Sequence, residues 1–250
     1  MQANVKALLF IALILLLWHL VSSTGFFNGT LFPGPLKVLD ATINLFESGQ
    51  LVTDILTSTW RMFFGLLIGA SVGVFLGLLM GRVLFLEETV APFFHILRAF
   101  PPVAIIPLLI VWFGIGDIAK IVSIAFAVFF PVWISALVGA KAIQEDFLRT
   151  AKVFSKSATQ TFSKVVIPAT IPFLVSGIRI GIGMAFIMVF VSELAGASSG
   201  LGYLIAYAQI VYRIDNMLAG LIILGLLAAL TDFLFVKLSQ RAFPWVKEYG

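Results

Sequence analysis

The stretch Lys141–Pro172, KAIQEDFLRTAKVFSKSATQTFSKVVIPATIP, decides how this chain is read. With Gly139 and Ala140 it forms the one sizeable polar interruption, Gly139–Pro172, late in the sequence, and long apolar runs flank it on both sides. It carries Lys141, Arg149, Lys152, Lys156 and Lys164 against Glu145 and Asp146. Asp146 is placed to cap a helix running from Phe147 towards Ser157, with Glu145 favourable beside its positive end. Wound at about 100° per residue, Phe147, Ala151 and Phe154 share one face, and Arg149, Lys152 and Lys156 cluster opposite. Two readings of the apolar face stay open on physics alone. It lies on the membrane as an interfacial helix, or it enters the groove of a partner protein. After a turn around Lys156–Ala158 a second short helix is expected to stop before Pro168, because the residue preceding proline disfavours the helical region.

The apolar flanks set the class. The chain has 250 residues, of which 61% are hydrophobic and 11% charged, and its mean hydropathy is +1.11. Soluble chains average about 25% charged residues, so this is an integral membrane protein. There is no cysteine, which removes disulfides, thiolate metal sites and a cysteine nucleophile. The net charge of +4 needs no nucleic acid to explain it, since much of it borders membrane spans.

A spanning helix needs about 20 mostly apolar residues. Six candidates emerge: Ala7–Val21, Met62–Gly81, Ala91–Phe113, Ile118–Val138, Phe173–Ala195 and Met217–Val236. The first doubles as a candidate cleaved signal peptide, with Ser22, Ser23 and Thr24 as small residues at its end. With the amino terminus inside, Lys6, Arg82, the five basic residues of the loop, Lys237, Arg241 and Lys247 fall on the cytoplasmic side. Lys37, Arg61, Lys120 and Arg213 fall outside or at its edge. That imbalance places both termini and the basic loop in the cytoplasm. The first outer segment, Phe26–Trp60, holds a Pro33-Gly34-Pro35 turn and then a surface helix. No second soluble domain is expected: residues 1–250 form a single transmembrane domain, with 139–172 a cytoplasmic loop within it.

Within the spans, Gly65, Gly69, Gly73, Gly77 and Gly81 recur at every fourth position, and Gly177, Gly181 and Ala185 repeat the device. Such faces let helices approach closely in lipid. They are candidates for packing and for the transport pathway. Pro101, Pro102 and Pro107 predict a kink or break in the third span, and Asp117 is a candidate cap for the helix beginning at Ile118. Charges within spans are functional candidates by default: Arg98, Arg179 and Glu193 as pathway charges, and Asp232 as a structural group paired with Lys237. Arg179 has snorkelling to the interface as its alternative, and Glu193 has local capping and pairing. His19 and His95 lack ligand-spaced partners, so no metal site and no catalytic constellation are expected.

The loop and the span after it, RTAKVFSKSATQTFSKVVIPATIPFLVSGIRIGIGMAFIMVFVSELAGASSGLGYLI, together with the upstream LRAFPPVAIIPLLIVWFGIGDIAKI, resemble bacterial ABC-importer permeases of the branch serving nitrate, sulfonate, taurine, bicarbonate or thiamine-precursor uptake. That family carries a Glu-Ala-Ala triplet followed by a glycine, then an Ile-x-Leu-Pro-like tail. Here the triplet position holds Arg149-Thr150-Ala151, Ser155 replaces the glycine, and Val166-Ile167-Pro168 forms the tail. The resemblance runs from Pro33 onward and implies the all-α, type I ABC-importer permease fold. It implies a second permease chain in a homodimer, ABC ATPase subunits beneath the loop, and an extracytoplasmic solute-binding protein above the bacterial inner membrane. It implies that Phe147, Arg149, Thr150, Ala151, Phe154 and Ser155 contact the ATPase. No GxxxxGK[ST] stretch occurs in the chain, so ATP and Mg belong to the partner and this subunit is non-catalytic. The competing function is a secondary transporter or channel independent of ATP, disfavoured by the scarcity of intramembrane charge. An intramembrane enzyme would need a serine–histidine or similar constellation, which neither histidine supplies.

Overall fold

A computed structural model describes residues 2–24, 28–155 and 157–249. The described residues are helical throughout, without strands. In chain order the helices are α1 (Gln2–Ser23), α2 (Pro35–Glu47), α3 (Gln50–Met80), α4 (Leu84–Leu97), α5 (Ile106–Phe113), α6 (Asp117–Lys141), α7 (Glu145–Phe154), α8 (Ala158–Thr161), α9 (Ile167–Leu194), α10 (Leu201–Ile210) and α11 (Ile214–Ala242). Short 3-10 turns lie at Pro102–Ile105 and Pro244–Tyr249.

α6 is the central post, and the glycine repeats explain why. A Cβ on Gly65 would meet Ile124, one on Gly73 would lie 2.9 Å from the Phe129 carbonyl oxygen, and Gly69 and Gly77 approach the α6 backbone more closely still. Contacts climb both helices together, from Gly65 beside Ile124 to Gly81 beside Ala140, so α3 and α6 run parallel. On its other side α6 meets α9 in the opposite sense: Gly139 faces Thr170 and Phe173, Gly177 faces Pro131 and Ser135, and Gly181 faces Val128 and Val132. Without side chains the backbones approach and gain dispersion contact. The core of Met62, Ile124, Val128, Val132, Ile182, Phe186 and Val189 lies between these three helices.

Parallel α3 and α6 fix the course of the chain between them. α3 ends beside the last turn of α6, and α6 begins beside Arg61 near the other end of α3. Residues 81–116 therefore return across the full thickness, and the pair of Leu84–Leu97 and Pro102–Phe113, bent by 85°, is one broken span. The prolines act as expected: α4 stops at Leu97 and the chain restarts as a 3-10 turn after Pro101. α4 is held to α6 by edge-on stacking of Phe94 and His95 on Trp133, at 5.3 and 5.1 Å between centroids. The Trp133 indole N–H donates to Met80 Sδ at 3.2 Å. α11 starts at the α10 end and runs back antiparallel to α9, so five crossings follow from packing: α3, α4–α5, α6, α9 and α11. α1, apolar over Leu9–Ser23, is the sixth candidate; it touches the rest through the Trp18 indole, which donates to the Pro33 carbonyl at 3.1 Å.

Several sequence expectations shift. The second span begins at Gln50, twelve residues before the apolar run at Met62, because Asp54, Ser58 and Arg61 are buried inside the bundle rather than exposed at an edge. The first outer segment is a helix as expected, although residues 25–27 at its start lie outside the described residues; α2 buries Val38, Ala41 and Leu45 against α3 and α11. Asp117 opens α6 rather than capping it; Gly116 is the capping residue, and the Asp117 carboxylate turns to Arg61. Pro168 does not stop a helix. The π-helical turn Phe162–Val166 joins α8 to α9, whose first turn contains Pro168. An opened register of this kind accommodates a residue that lacks an amide donor. Asp232 pairs with Arg179, not with Lys237, whose ammonium sits over the Phe233 ring at 5.8 Å.

Candidate functional site

The basic loop folds as a helix that hardly touches its own bundle. α7 starts at Glu145, with Gln144 as an N-cap that makes no side-chain bond, so Asp146 is one residue inside rather than the cap. Glu145 and Asp146 both stand in the first turn, where the helix dipole favours negative charge. Leu148 is the residue that α7 buries, at 9% exposure. Phe147, Val153 and Phe154 stand out at 68, 81 and 83%. Ala151 is half-buried, between Leu148 and the exposed side. Arg149 and Thr150 are exposed, and the Arg149 guanidinium pairs with Glu145 one turn earlier at 3.1 Å. Ser155 ends the helix at φ −101°, ψ 139°, extended backbone that any residue adopts, so a serine sits there without strain. Of the basic face expected of Arg149, Lys152 and Lys156, Arg149 is exposed; the side chain of Lys152 and the whole of Lys156 lie outside the described residues.

The opposite end of the bundle holds a buried ion cluster. Arg61 on α3 donates from Nε to Asp117 at 2.7 Å, and from Nη1 to Glu193 on α9 at 2.8 Å and to the Ser199 carbonyl at 2.7 Å. Glu193 is fully buried. It also accepts from the Ser58 hydroxyl at 2.9 Å and the Gly202 N–H at 2.8 Å. The Leu201 N–H donates to Ser58 Oγ at 2.8 Å and the Gly200 N–H to Asp54 Oδ1 at 2.7 Å. Three consecutive amides at the start of α10 are thus taken by side chains of α3 and α9, as the positive end of a helix favours. Gly200 has φ +117°, and a Cβ there would enter the Glu193 carboxylate, so only glycine fits. Lys120, buried nearby, donates to the Gly116 carbonyl at 3.1 Å. The cluster ties four helices and a loop together at one point.

Of the predicted pathway charges, Glu193 is consumed by this cluster. Arg179 lies in a bidentate pair with Asp232, and Arg98, exposed at the α4–α5 break, has no side-chain partner among the described residues. The structure does not bring the three together. Sequence reasoning missed Asp54, Ser58 and Lys120 as buried groups. The spacing held a usable signal: Asp54, Ser58 and Arg61 continue backwards, at i, i+4 and i+7, the same face that Gly65, Gly69, Gly73 and Gly77 define. Among the described residues no group of His, Cys, Asp or Glu is placed to hold a metal ion.

Residues 69–244 match the family model of the binding-protein-dependent transport system inner membrane component. The chain belongs to that family. Like its relatives, this family member is a transport permease: a Bacillus subtilis (strain 168) chain named, by inference, an aliphatic sulfonates transport permease protein, SsuC, is 33% identical over 98% of this chain and 88% of its own length. The taurine transport system permease protein TauC of Escherichia coli (strain K12) is 30% identical over 94% of this chain and 87% of its own. Among solved structures, an inward-facing form of the MetNI methionine ABC transporter matches with TM-score 0.61 at 22% identity, over 78% of this permease and 94% of that chain. That likeness shows the fold, the type I ABC-importer permease fold. The family match begins within α3 at Gly69 and spans α4 through α11, and with them both the α7 surface and the Asp117 and Glu193 carboxylates of the ion cluster.

Proposed function

We propose that this permease forms half of the translocation pathway of an ATP-driven importer for a small organic oxyanion of the sulfonate class. A binding protein delivers the solute at the end where α2 and α10 lie. ATPase subunits, which carry ATP and Mg, engage α7 at the opposite end, and this chain is non-catalytic. The membrane is a bacterial inner membrane, with both termini and α7 in the cytoplasm, and the second permease chain is another copy of this one. The solute class is taken from the names of the relatives, which concern sulfonates and taurine.

The single observation that carries the coupling role is the exposed apolar ridge of Phe147 and Phe154 on a helix anchored by Leu148, with Val153 exposed on the flank one turn from Arg149. Three large apolar side chains on one short polar helix, next to the Arg149–Glu145 pair, fit insertion into a partner's groove. Of the two readings left open by the sequence, partner docking is the one adopted. The triplet position Arg149, Thr150 and Ala151 and the helix end at Ser155 border that ridge. The family's acid at the first triplet position is replaced here by Glu145, one turn upstream and paired to Arg149. Phe154→Asp places a charge where the groove desolvates the ring. It is expected to abolish co-purification of the ATPase subunit while the chain still inserts and extracts normally. Retained co-purification together with unchanged transport would remove α7 as the coupling element. A secondary transporter, by contrast, would bring no ATPase along even in its native form.

A further inference from the structure

Arg179 and Asp232 form an ion pair well inside the membrane and on the outside of the bundle. The Arg179 side chain is 57% exposed and that of Asp232 34%. Their depth follows from the packing of α9 on α6. Gly177 and Gly181, which bracket Arg179, touch Pro131, Val132, Ser135 and Val128, so the pair is level with about residue 131 of α6. That helix continues to Lys141, about 15 Å further at roughly 1.5 Å per residue. An arginine could snorkel part of that distance. An aspartate cannot, and the guanidinium is turned sideways into the pair, with Nε to Oδ1 at 2.8 Å and Nη2 to Oδ2 at 3.0 Å. Ionised groups at this depth almost always face a bundle interior or a water-filled cavity.

Between exposed apolar side chains such as Ile180 and Phe233, the same flank carries small residues that have no packing reason to be small. A Cβ on Gly183, one turn beyond Arg179 on α9, would meet nothing within 4 Å, and neither would one on Gly225, two turns from Asp232 on α11. Ser176 and Ala229, one turn away on the two helices, are also exposed. The glycines packed on α6 are explained by the backbone beside them; Gly183 and Gly225 are not. The guanidinium has a second edge. Asp232 occupies Nε and one proton of Nη2, and the Nη1 edge has no partner among the described residues. An arginine edge of this kind matches two oxygens of a carboxylate, phosphate or sulfonate.

We propose that the α9/α11 flank bearing Arg179 and Asp232 faces a water-filled path, and that the free edge of Arg179 is a transit contact for an oxyanion. This rests on the permease reading above and deepens it by naming a pathway residue and the chemistry it recognises. Asp232 has two effects. It fixes the orientation of the guanidinium, and it offsets part of the charge, so that an anion is attracted yet released, as conduction requires.

The chain has no cysteine, so single cysteines report without further engineering. Gly183→Cys and Ala229→Cys, at positions with open space or exposure, are labelled in native membrane vesicles with 2-sulfonatoethyl methanethiosulfonate and with its trimethylammonium counterpart. The expected result is labelling at both positions with a several-fold preference for the sulfonate reagent. Arg179→Gln should abolish that preference and Asp232→Asn should increase it. No labelling by either reagent would mean that lipid or a second copy covers the flank, and would overturn the proposal. Labelling whose charge preference survives Arg179→Gln would also overturn it, since Arg179 would then not be the anion contact. Uptake of taurine and short alkanesulfonates is measured in parallel: if labelling behaves as expected and neither is transported, the pathway stands and the solute class proposed above falls.

Discussion

At the scale of single residues, the ion cluster around Arg61 decides more of the architecture than its sequence position suggests. Charges taken out of water are stable only when geometry and hydrogen bonding offset their desolvation, and here Arg61 faces two carboxylates and a carbonyl. Arg61→Ala would leave Glu193 buried without its cation, while Ser58 and the Gly202 amide remain as its donors among the described residues. A loss of about 3–5 kcal/mol is expected, read as a large drop in midpoint temperature for the detergent-extracted protein. Glu193→Gln keeps the shape and the amide contacts and should lose distinctly less. Arg61→Ala within about 1 kcal/mol of wild type would show the cluster to be incidental. This cluster was only half legible from the sequence. Glu193 stands out in the sequence as a charge inside an apolar run, whereas Arg61 falls at the edge of one, because hydropathy marks where a helix becomes apolar, not where it begins.

At the scale of elements, the glycine faces were the most legible feature and the prolines the least uniform. A four-residue glycine repeat leaves few interpretations in a helix, and α3 packs on α6 along all of it. Pro101 and Pro102 end a helix as their chemistry dictates, yet Pro168 is carried within the first turn of α9 because a π-helical turn precedes it. Sequence shows that an amide is missing; it does not show which register the neighbouring turns take. The tight α3–α6 contact yields a graded prediction. Gly73→Ala brings a methyl to within 2.9–3.1 Å of the α6 backbone and Val132, and overpacking of this kind costs about 1–3 kcal/mol. Gly73→Leu should cost more and prevent accumulation of folded protein. Gly183→Ala, with nothing within 4 Å of its Cβ, should leave the midpoint temperature unchanged. Equal effects at both glycines would contradict the packing.

At the scale of the whole molecule, the parallel course of α3 and α6 has a consequence that hydropathy cannot supply. α4 and α5 together are bent by 85°, and such a pair could equally dip in and out on one side. If it did, α3 and α6 would be antiparallel and every later element would change sides. The observed pairing of Gly65 with Ile124 and of Gly81 with Ala140 excludes that. It puts α2 and the α10–α11 turn on one side of the membrane and α7, α8 and the end of α11 on the other. Single cysteines test this without reference to transport: Asn44→Cys on α2 and Tyr212→Cys after α10, both exposed, should react with a membrane-impermeant maleimide from the same side. Thr159→Cys on α8, also exposed, should react only from the opposite side. With α7 in the cytoplasm, intact cells should label the first two, and Thr159→Cys should require permeabilisation. If Asn44→Cys and Thr159→Cys reacted from the same side, an odd number of crossings between them could not stand, and the broken span would have to be re-entrant. If the sides differ but are reversed, the bundle stands, and the cytoplasmic placement of α7, on which its docking to an ATPase depends, does not.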